Sequence, residues 1–224
     1  MMMNLFSSFD PSTSHILSNN WISCWLILLL IPPIFTLIPS RIFWFWLQIN
    51  LLLFNELKIL IKSRNYTGMT LLFNSLFFFI LMNNFMGLFP YIFTCSSHMN
   101  FSIYLSLPLW FSFMLFGWIK NTMHMFAHLV PQGAPNTLLP FLVIIETTSN
   151  IIRPMTLAIR LTANMIAGHL LLTLLGDTGP QLEFFPLNIL IFIQMLLLML
   201  EFSVSIIQAY VFSILLTLYS KEVN

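Results

Sequence analysis

Apolar residues follow one another along this chain in runs that are too long for β-strands. Five of these regions approach or exceed the roughly 20 residues that an α-helix needs to cross a hydrocarbon core. A transmembrane β-barrel would instead show alternation within segments of about 10 residues. The sequence therefore predicts an all-α integral membrane protein, with one domain over residues 1–224. The predicted membrane-embedded helices cover about 19–39, 69–92, 101–119, 141–175 and 187–220.

A further helix is predicted between the first two spans, at about 43–62. Trp44 and Trp46 stand near its start, and Lys58 stands near its end. Interfacial aromatic residues with basic residues at one end are typical of a helix that lies on the membrane surface. Half of the chain's eight Lys and Arg residues lie in or beside this segment, which predicts that it faces the side of synthesis. The amino terminus is then on the opposite side, and the carboxyl terminus, after Lys221, is on the side of synthesis.

The last two predicted helices are too long to cross a membrane upright. A helix over 141–175 is about 52 Å long at about 1.5 Å per residue. It would have to lean by roughly 55° to fit a core of about 30 Å, which exceeds the usual range of tilts. We therefore expect either a break at Pro154 or Gly168, or a steeply slanted antiparallel pair.

A stripe of polar residues runs along the first of these two long helices. At 100° per residue its members fall within about 80° of one another. A charge at the bilayer centre costs roughly 2.5–3.5 kcal/mol or more, so a stripe with two arginines predicts a functional site. The last helix carries a second polar line, in which Ser205 lies between residues at heptad steps. The first stripe consists of Glu146, Asn150, Arg153, Arg160 and Asn164, and the second includes Gln194, Glu201 and Gln208.

Composition narrows the possible functions. Apolar residues make up 58% of the chain, charged residues make up 7%, and the net charge of +1 gives no indication of a nucleic-acid partner. Cys24 and Cys95 lie in or beside apolar runs without metal-ligand spacing, so we expect buried thiols. His124 and His128 are four residues apart and could ligate a metal or haem, but the absence of a second histidine pair argues against it.

Several motifs carry a resemblance to a known family. Ala158-Ile-Arg-Leu-Thr-Ala-Asn164, followed by Ala167-Gly-His169, strongly resembles subunit a of F-type ATP synthases in its mitochondrial form. Further similar motifs are Asn84-Phe-Met-Gly-Leu-Phe-Pro90, His128-Leu-Val-Pro-Gln-Gly-Ala-Pro135 and Gln208-Ala-Tyr-Val-Phe212. Together these motifs extend from residue 84 to residue 212, and the length and helix layout fit over the rest of the chain.

The resemblance implies the stator of a proton-driven rotary motor, which binds no nucleotide itself. Protons are the transported ion, no cofactor or metal is expected, and contacts with lipid are expected. The implied partners are a ring of c subunits and other subunits of the membrane sector and peripheral stalk. The implied location is the mitochondrial inner membrane, with the amino terminus toward the intermembrane space and the carboxyl terminus toward the matrix.

The resemblance also implies roles for individual residues. Arg160 corresponds to the family's essential arginine, which faces the carboxylate of the ring. The residues implied for the proton path are Glu146, Asn164, His169, Glu201 and Gln208. Residues that could line this path are Asn150, Arg153 and Ser205.

The chemistry of arginine supports the central role of Arg160. Arginine stays protonated, so Arg160 would be a fixed positive charge that favours the ionised form of a passing carboxylate and repels protons. The competing interpretation is a structural ion pair with Glu146 or Glu201. Arg153 matches no position where the family demands a charge, so we expect it to be paired or hydrated.

Two questions about position stay open at this point. A register estimated from the helix ends puts Glu201 level with Arg160, whereas the resemblance puts Gln208 near Arg160 and Glu201 beside His169. Asn83 and Asn84, in the second span, either line water or bond between helices.

Two other functions compete with the rotary motor. A channel or secondary transporter working alone usually has paired halves with broken helices, and no internal repeat is visible here. A respiratory subunit that binds haem or quinone needs histidine pairs inside the membrane, whereas His169 is the only histidine well inside a predicted helix.

Overall fold

The computed structural model describes residues 5–12, 19–31, 40–61, 67–130, 135 and 137–223. Within these ranges the regular structure is helical and contains no strand, which confirms the all-α class. The helices are α1 (Ser23–Leu30), α2 (Arg41–Ile61), α3 (Thr67–Gly87), α4 (Met99–Lys120), α5 (Thr122–His128), α6 (Leu139–Thr178) and α7 (Phe184–Val223). Short 3-10 helices cover Leu5–Phe9, Asn20–Ile22, Cys95–Ser97 and Gly179–Gln181.

Five helices in the described part of the chain are long and apolar enough to cross a membrane: α2, α3, α4, α6 and α7. The first predicted span is seen only in part, because residues 32–39 lie outside the described residues. Helix α2 occupies the place of the predicted surface helix. Since its length and composition would also allow it to cross, its position on the membrane surface stays a prediction.

Helix α2 packs against the first part of α3. Trp46 lies on Phe78, with ring centroids 4.5 Å apart. One turn further along α2, Asn74 Nδ2 donates a hydrogen bond to Asn50 Oδ1 at 3.1 Å. Because the later residue of α2 meets the earlier residue of α3, the two helices run antiparallel where they touch.

Helix α3 ends at Gly87, five residues before the predicted end of the second span at residue 92. Pro90 lacks the backbone N–H that would continue the helix, and it biases the residue before it away from helical geometry. Tyr91 then takes a φ of 70°, a left-handed conformation that turns the chain back. The sequence signal for this end was Gly87 followed three residues later by proline.

Helices α6 and α7 are each 40 residues long and continuous. At about 1.5 Å per residue, each is about 60 Å long. The predicted alternative of a break at Pro154 or Gly168 is therefore wrong. Pro154 is tolerated inside α6, although its missing N–H leaves the carbonyl of Asn150 without a helical hydrogen bond. The slant in the membrane stays a prediction.

The buried core lies where four helices meet. Helix α3 packs mainly on α7, α4 packs mainly on α6, and α6 and α7 pack on each other. Phe73 and Ile80 of α3 are fully buried there, together with Leu161 of α6 and Leu216 of α7. By contrast, none of residues 184–200 at the start of α7 is buried. The α6–α7 pair therefore combines a packed side with a wide uncovered apolar surface.

Candidate functional site

Arg160 lies on the uncovered side of α6. Its neighbours Leu157, Ala158 and Leu161 are buried against the rest of the chain, whereas Arg160 and Ile159 are exposed. No hydrogen bond or ion pair joins Arg160 to another residue in the described ranges. The competing interpretation, an ion pair with Glu146 or Glu201, is therefore not seen. A lone guanidinium among exposed apolar side chains presents its charge to whatever covers this surface.

Arg153, two turns earlier on the same helix, has partners. Its Nη2 atom lies 3.6 Å from Glu146 Oε1, and the two side chains are 25% and 32% exposed, respectively. Its guanidinium also lies over the ring of Tyr219 on α7, 5.1 Å from the centroid. The pairing expected for Arg153 from the sequence is thus present. Asn150, one turn before Arg153, lines the same small cleft as His128.

Glu201 packs directly onto Gly168. Only 9% of Glu201 is exposed. A Cβ atom built on Gly168 would lie 2.8 Å from both Cδ and Oε1 of Glu201, which is closer than real Cβ contacts allow. The missing side chain of Gly168 is therefore what lets the carboxyl group of α7 approach α6 next to His169.

The contact between Gly168 and Glu201 also fixes the register of the two long helices. Moving eight residues back along α6 to Arg160, and eight forward along α7, puts Ala209 level with Arg160. Gln208 is adjacent to that position. This is the register that the resemblance implied, so the register estimated from the helix ends is wrong by two turns. The observed ends at 178 and 184 put the same residues level as the predicted ends at 175 and 187, so the helix ends do not by themselves determine the register.

His169 is half-buried in the last third of α6. Its ring meets Phe9 edge to face, with centroids 6.2 Å apart. The imidazole approaches the backbone of Gly87, where α3 ends. Its Nε2 atom is buried and has no hydrogen-bond partner among the residues that the structure describes. An imidazole in this state has one ring nitrogen available to take or give a proton.

Other buried polar atoms near this level also lack partners. Asn84, one turn before Gly87, is 1% exposed, and neither its Oδ1 nor its Nδ2 is hydrogen-bonded. Buried polar groups are normally bonded, and water is the usual partner when protein supplies none. Within the described chain, the buried side-chain atoms without a hydrogen-bond partner belong to Asn74, Asn84, Ser96, His98, Ser106, His169 and Glu201. The Asn83-Asn84 pair in an apolar helix was the sequence signal for this group.

The remaining predicted residues occupy intermediate positions. Ser205 is buried and donates a hydrogen bond to the carbonyl of Phe202 at 2.7 Å, within α7. Asn164 and Gln208 are half-buried, and neither has a hydrogen bond to another residue that the structure describes. His124 and His128 lie on the seven-residue α5, with ring centroids 6.5 Å apart. The expectation of no cofactor stays a prediction.

A family model described as ATP synthase A chain matches residues 17–221. The chain belongs to this family. ATP synthase subunit a of Locusta migratoria is 62% identical over 224 residues. The subunit of Drosophila yakuba is 60% identical over 224 residues, and that of Anopheles quadrimaculatus is 59% identical over 226 residues. Each comparison covers 100% of this chain and 100% of the relative.

Family membership confirms the resemblance found in the motifs around Arg160. As an ATP synthase A chain with several apolar helices, the chain is a multi-pass subunit of the membrane sector, with a part in proton transport and ATP synthesis. Family membership argues against the two competing functions, a channel that works alone and a subunit that binds haem or quinone.

Proposed function

We propose that this chain is the proton-translocating stator of the synthase, forming two proton half-channels against a rotating ring of c subunits. In this role it couples proton flow to ATP synthesis. The observation that carries the proposal is Arg160, an exposed guanidinium without a partner in the described chain. A permanent cation on an otherwise apolar membrane surface needs a complementary acid, and a ring carboxylate would supply it.

Arg160 would act on each ring carboxylate as it passes. Its charge favours the ionised carboxylate, so a protonated carboxyl group that approaches it releases its proton. The same charge repels protons and separates the two aqueous paths, which prevents a direct leak. Each proton contributes about 2.3 kcal/mol per 100 mV of membrane potential, so several protons are needed for each ATP. Protons that leak past Arg160 would not contribute to ATP synthesis.

The outer half-channel would pass between α3, α6 and α7. His169 and Glu201 titrate, both have a buried unpartnered atom, and they lie at one level because of the contact with Gly168. Water on these atoms and on Asn84 would carry the proton inward. From there Asn164 and Gln208, which the register brings toward the level of Arg160, would continue the path, and Ser205 would line it.

The inner half-channel would begin near Glu146. This carboxylate is about one-third exposed and lies toward the end of α6 that carries Arg153 and Asn150. The carboxylate of Glu146, held in place by Arg153, would collect the proton released beside Arg160. Arg153 thus has a positioning role and no direct part in the transfer.

We further propose the mitochondrial inner membrane as the location, with the amino terminus toward the intermembrane space and the carboxyl terminus toward the matrix. The distribution of Lys and Arg supports this orientation. The other partners would be further subunits of the membrane sector and the peripheral stalk, together with lipid.

Replacement of Arg160 tests the proposal. In membranes that contain the assembled synthase, Arg160→Ala should abolish proton flux linked to ATP and raise the passive leak, because both the release of protons and the barrier depend on the charge. Thr156→Ala is the matched control, since Thr156 is one turn away on the same exposed face and is uncharged. Coupled flux that survives Arg160→Ala at the level of the control would contradict the stator role.

A further inference from the structure

The two cysteines of the chain meet in the folded structure. Cys24 lies in the first turn of α1, and Cys95 begins the 3-10 helix between α3 and α4. The Oγ atom of Ser23, the residue before Cys24, lies 3.0 Å from Cys95 Sγ, and the two thiols are near enough to interact. Because the sequence contains only these two cysteines, a thiol–thiol contact between distant segments is a specific feature of the fold.

Neighbouring groups hold the two sulfurs together. Ser23 Oγ donates a hydrogen bond to the carbonyl of Phe93 at 3.0 Å, and it lies 3.0 Å from Cys95 Sγ. A hydroxyl has a single proton, so the Cys95 thiol is the donor in the second contact. Trp21 packs on the rings of Phe93 and His98, which fastens the start of α1 to this segment.

We propose that Cys24 and Cys95 form a thiol–disulfide pair that ties α1 covalently to the link between α3 and α4. The proposal rests on these contacts and is independent of the half-channels. A disulfide here would close a loop that contains α2 and α3, so the unfolded chain would lose freedom and the oxidised protein would resist unfolding more strongly.

The exchange can be written with an added small disulfide as the oxidant. The Cys24 thiolate, which is the less buried of the two, attacks one sulfur and releases one small thiolate, giving a mixed disulfide. Cys95 gives up its proton to solvent, attacks Cys24 Sγ and releases the second small thiolate. In sum, two protein thiols are oxidised, one small disulfide is reduced to two thiols, and no other reactant is required.

The test uses membranes with the assembled complex and oxidised glutathione as the disulfide. Because only a thiolate attacks a disulfide, the exchange is run at about pH 8.5. Remaining thiols are then alkylated, and the peptides of this chain are identified by mass spectrometry. The expected product is a peptide pair joined through Cys24 and Cys95, lighter by two hydrogens and separated by dithiothreitol.

A matched control keeps two thiols but moves one of them. In the double variant Cys24→Ser and Trp25→Cys, the thiol lies one residue further along α1, about 100° around the helix axis. Trp25 is 70% exposed, so its replacement by cysteine disturbs little packing in the described chain. The control should give mixed disulfides with glutathione and at least tenfold less of the joined peptide pair, which corresponds to about 1.4 kcal/mol.

Two results would overturn the proposal. One is that both cysteines of the unmodified chain stay alkylatable, or carry only glutathione, after oxidation. The other is equal joining in the unmodified chain and in the control, which would mean that mobility and not the observed contact brings the thiols together. The unmodified chain decides the first point by itself, so the result does not depend on how well the variants fold.

Discussion

Two ends of the α6–α7 pair carry ionisable residues in opposite states. We name them by their proposed orientation: the end with Glu146 is the inner end, and the end with His169 is the outer end. At the inner end, the charges are matched, since Arg153 contacts both Glu146 and the ring of Tyr219. At the outer end, Glu201 and His169 lie at the same level, but each keeps a buried polar atom without a hydrogen-bond partner among the described residues. Arg160 lies between the two ends, is exposed, and has no hydrogen-bond or ion-pair partner in the described part of the chain.

This difference teaches how to separate structural from functional polar groups in a membrane helix. The cost of an ionisable group in the membrane is similar at both ends, so cost alone does not distinguish them. A paired group recovers part of that cost from its partner and stabilises the fold. A group held in place without a partner depends on water or on a transported proton, as expected for a conduction path.

Among the residues at the two ends, the largest effect is expected at Glu201. Glu201→Gln keeps the shape of the buried side chain but removes its ability to exchange a proton. Coupled proton flux should fall by about 10²-fold, as is common when a proton-transfer group is removed. Assembly of the complex, measured by native electrophoresis, should be unchanged. If coupled flux persists, Glu201 is a packing residue and the outer end is no different from the inner end.

The next effect is expected at Gly168. In Gly168→Ala the new methyl group would overlap Glu201 Oε1, and overpacking of this kind costs about 1–3 kcal/mol. The carboxyl group must move, so coupled flux should drop by about tenfold, which corresponds to about 1.4 kcal/mol. Gly176→Ala on the same helix is the control, because nothing lies within 4 Å of its Cβ position. Equal flux in the two variants would show that the contact does not position Glu201.

A smaller effect is expected at His169. In His169→Ala, water can fill the vacated space and relay protons less efficiently, so coupled flux should slow by roughly two- to fivefold. The loss should appear when protons are supplied from the outer side and should be absent when they are supplied from the inner side. An equal loss of flux from both sides would mean that the substitution impairs assembly or contact with the ring, and it would contradict a role in the outer half-channel.

The smallest effect is expected for the ion pair at the inner end. A double-mutant cycle with Glu146→Gln and Arg153→Gln, measured by thermal unfolding of the solubilised complex, should give a coupling energy of about 1 kcal/mol or less, because both groups are partly exposed. Arg153→Gln alone should retain most of the coupled flux. A loss as large as that of Glu201→Gln would remove the distinction between the two ends.

Much of the fold was predictable because membrane helices are local structures. Runs of apolar residues predicted α3, α4, α6 and α7. The predicted ends lie within a few residues of the observed ones, except at the end of α3. The short helix α5 was missed, since its seven residues lie in a polar link without apolar periodicity. The end of α3 was predicted too late because apolar residues continue past Gly87 into the turn.

The candidate site was only partly predictable. Periodicity identified the stripe that includes Arg160, and the family motif singled this residue out from Arg153. Periodicity did not show that Arg153 pairs with Glu146, or that the atoms of Asn84 have no partner. Both facts depend on which side chains neighbouring helices bring to the same depth.

The sequence by itself determined the helices, the polar stripe and the family, because each is encoded in residues close together along the chain. The sequence left two registers of α7 on α6 open, one from the helix ends and one from the family motifs, and the tertiary structure decided between them. The observed register depends on the close contact of Glu201 with Gly168. A glycine in the sequence indicates that something can approach closely, but it does not indicate which residue does. The meeting of Cys24 with Cys95 was decided in the same way, since the packing of α1 on a distant link has no signature in either segment.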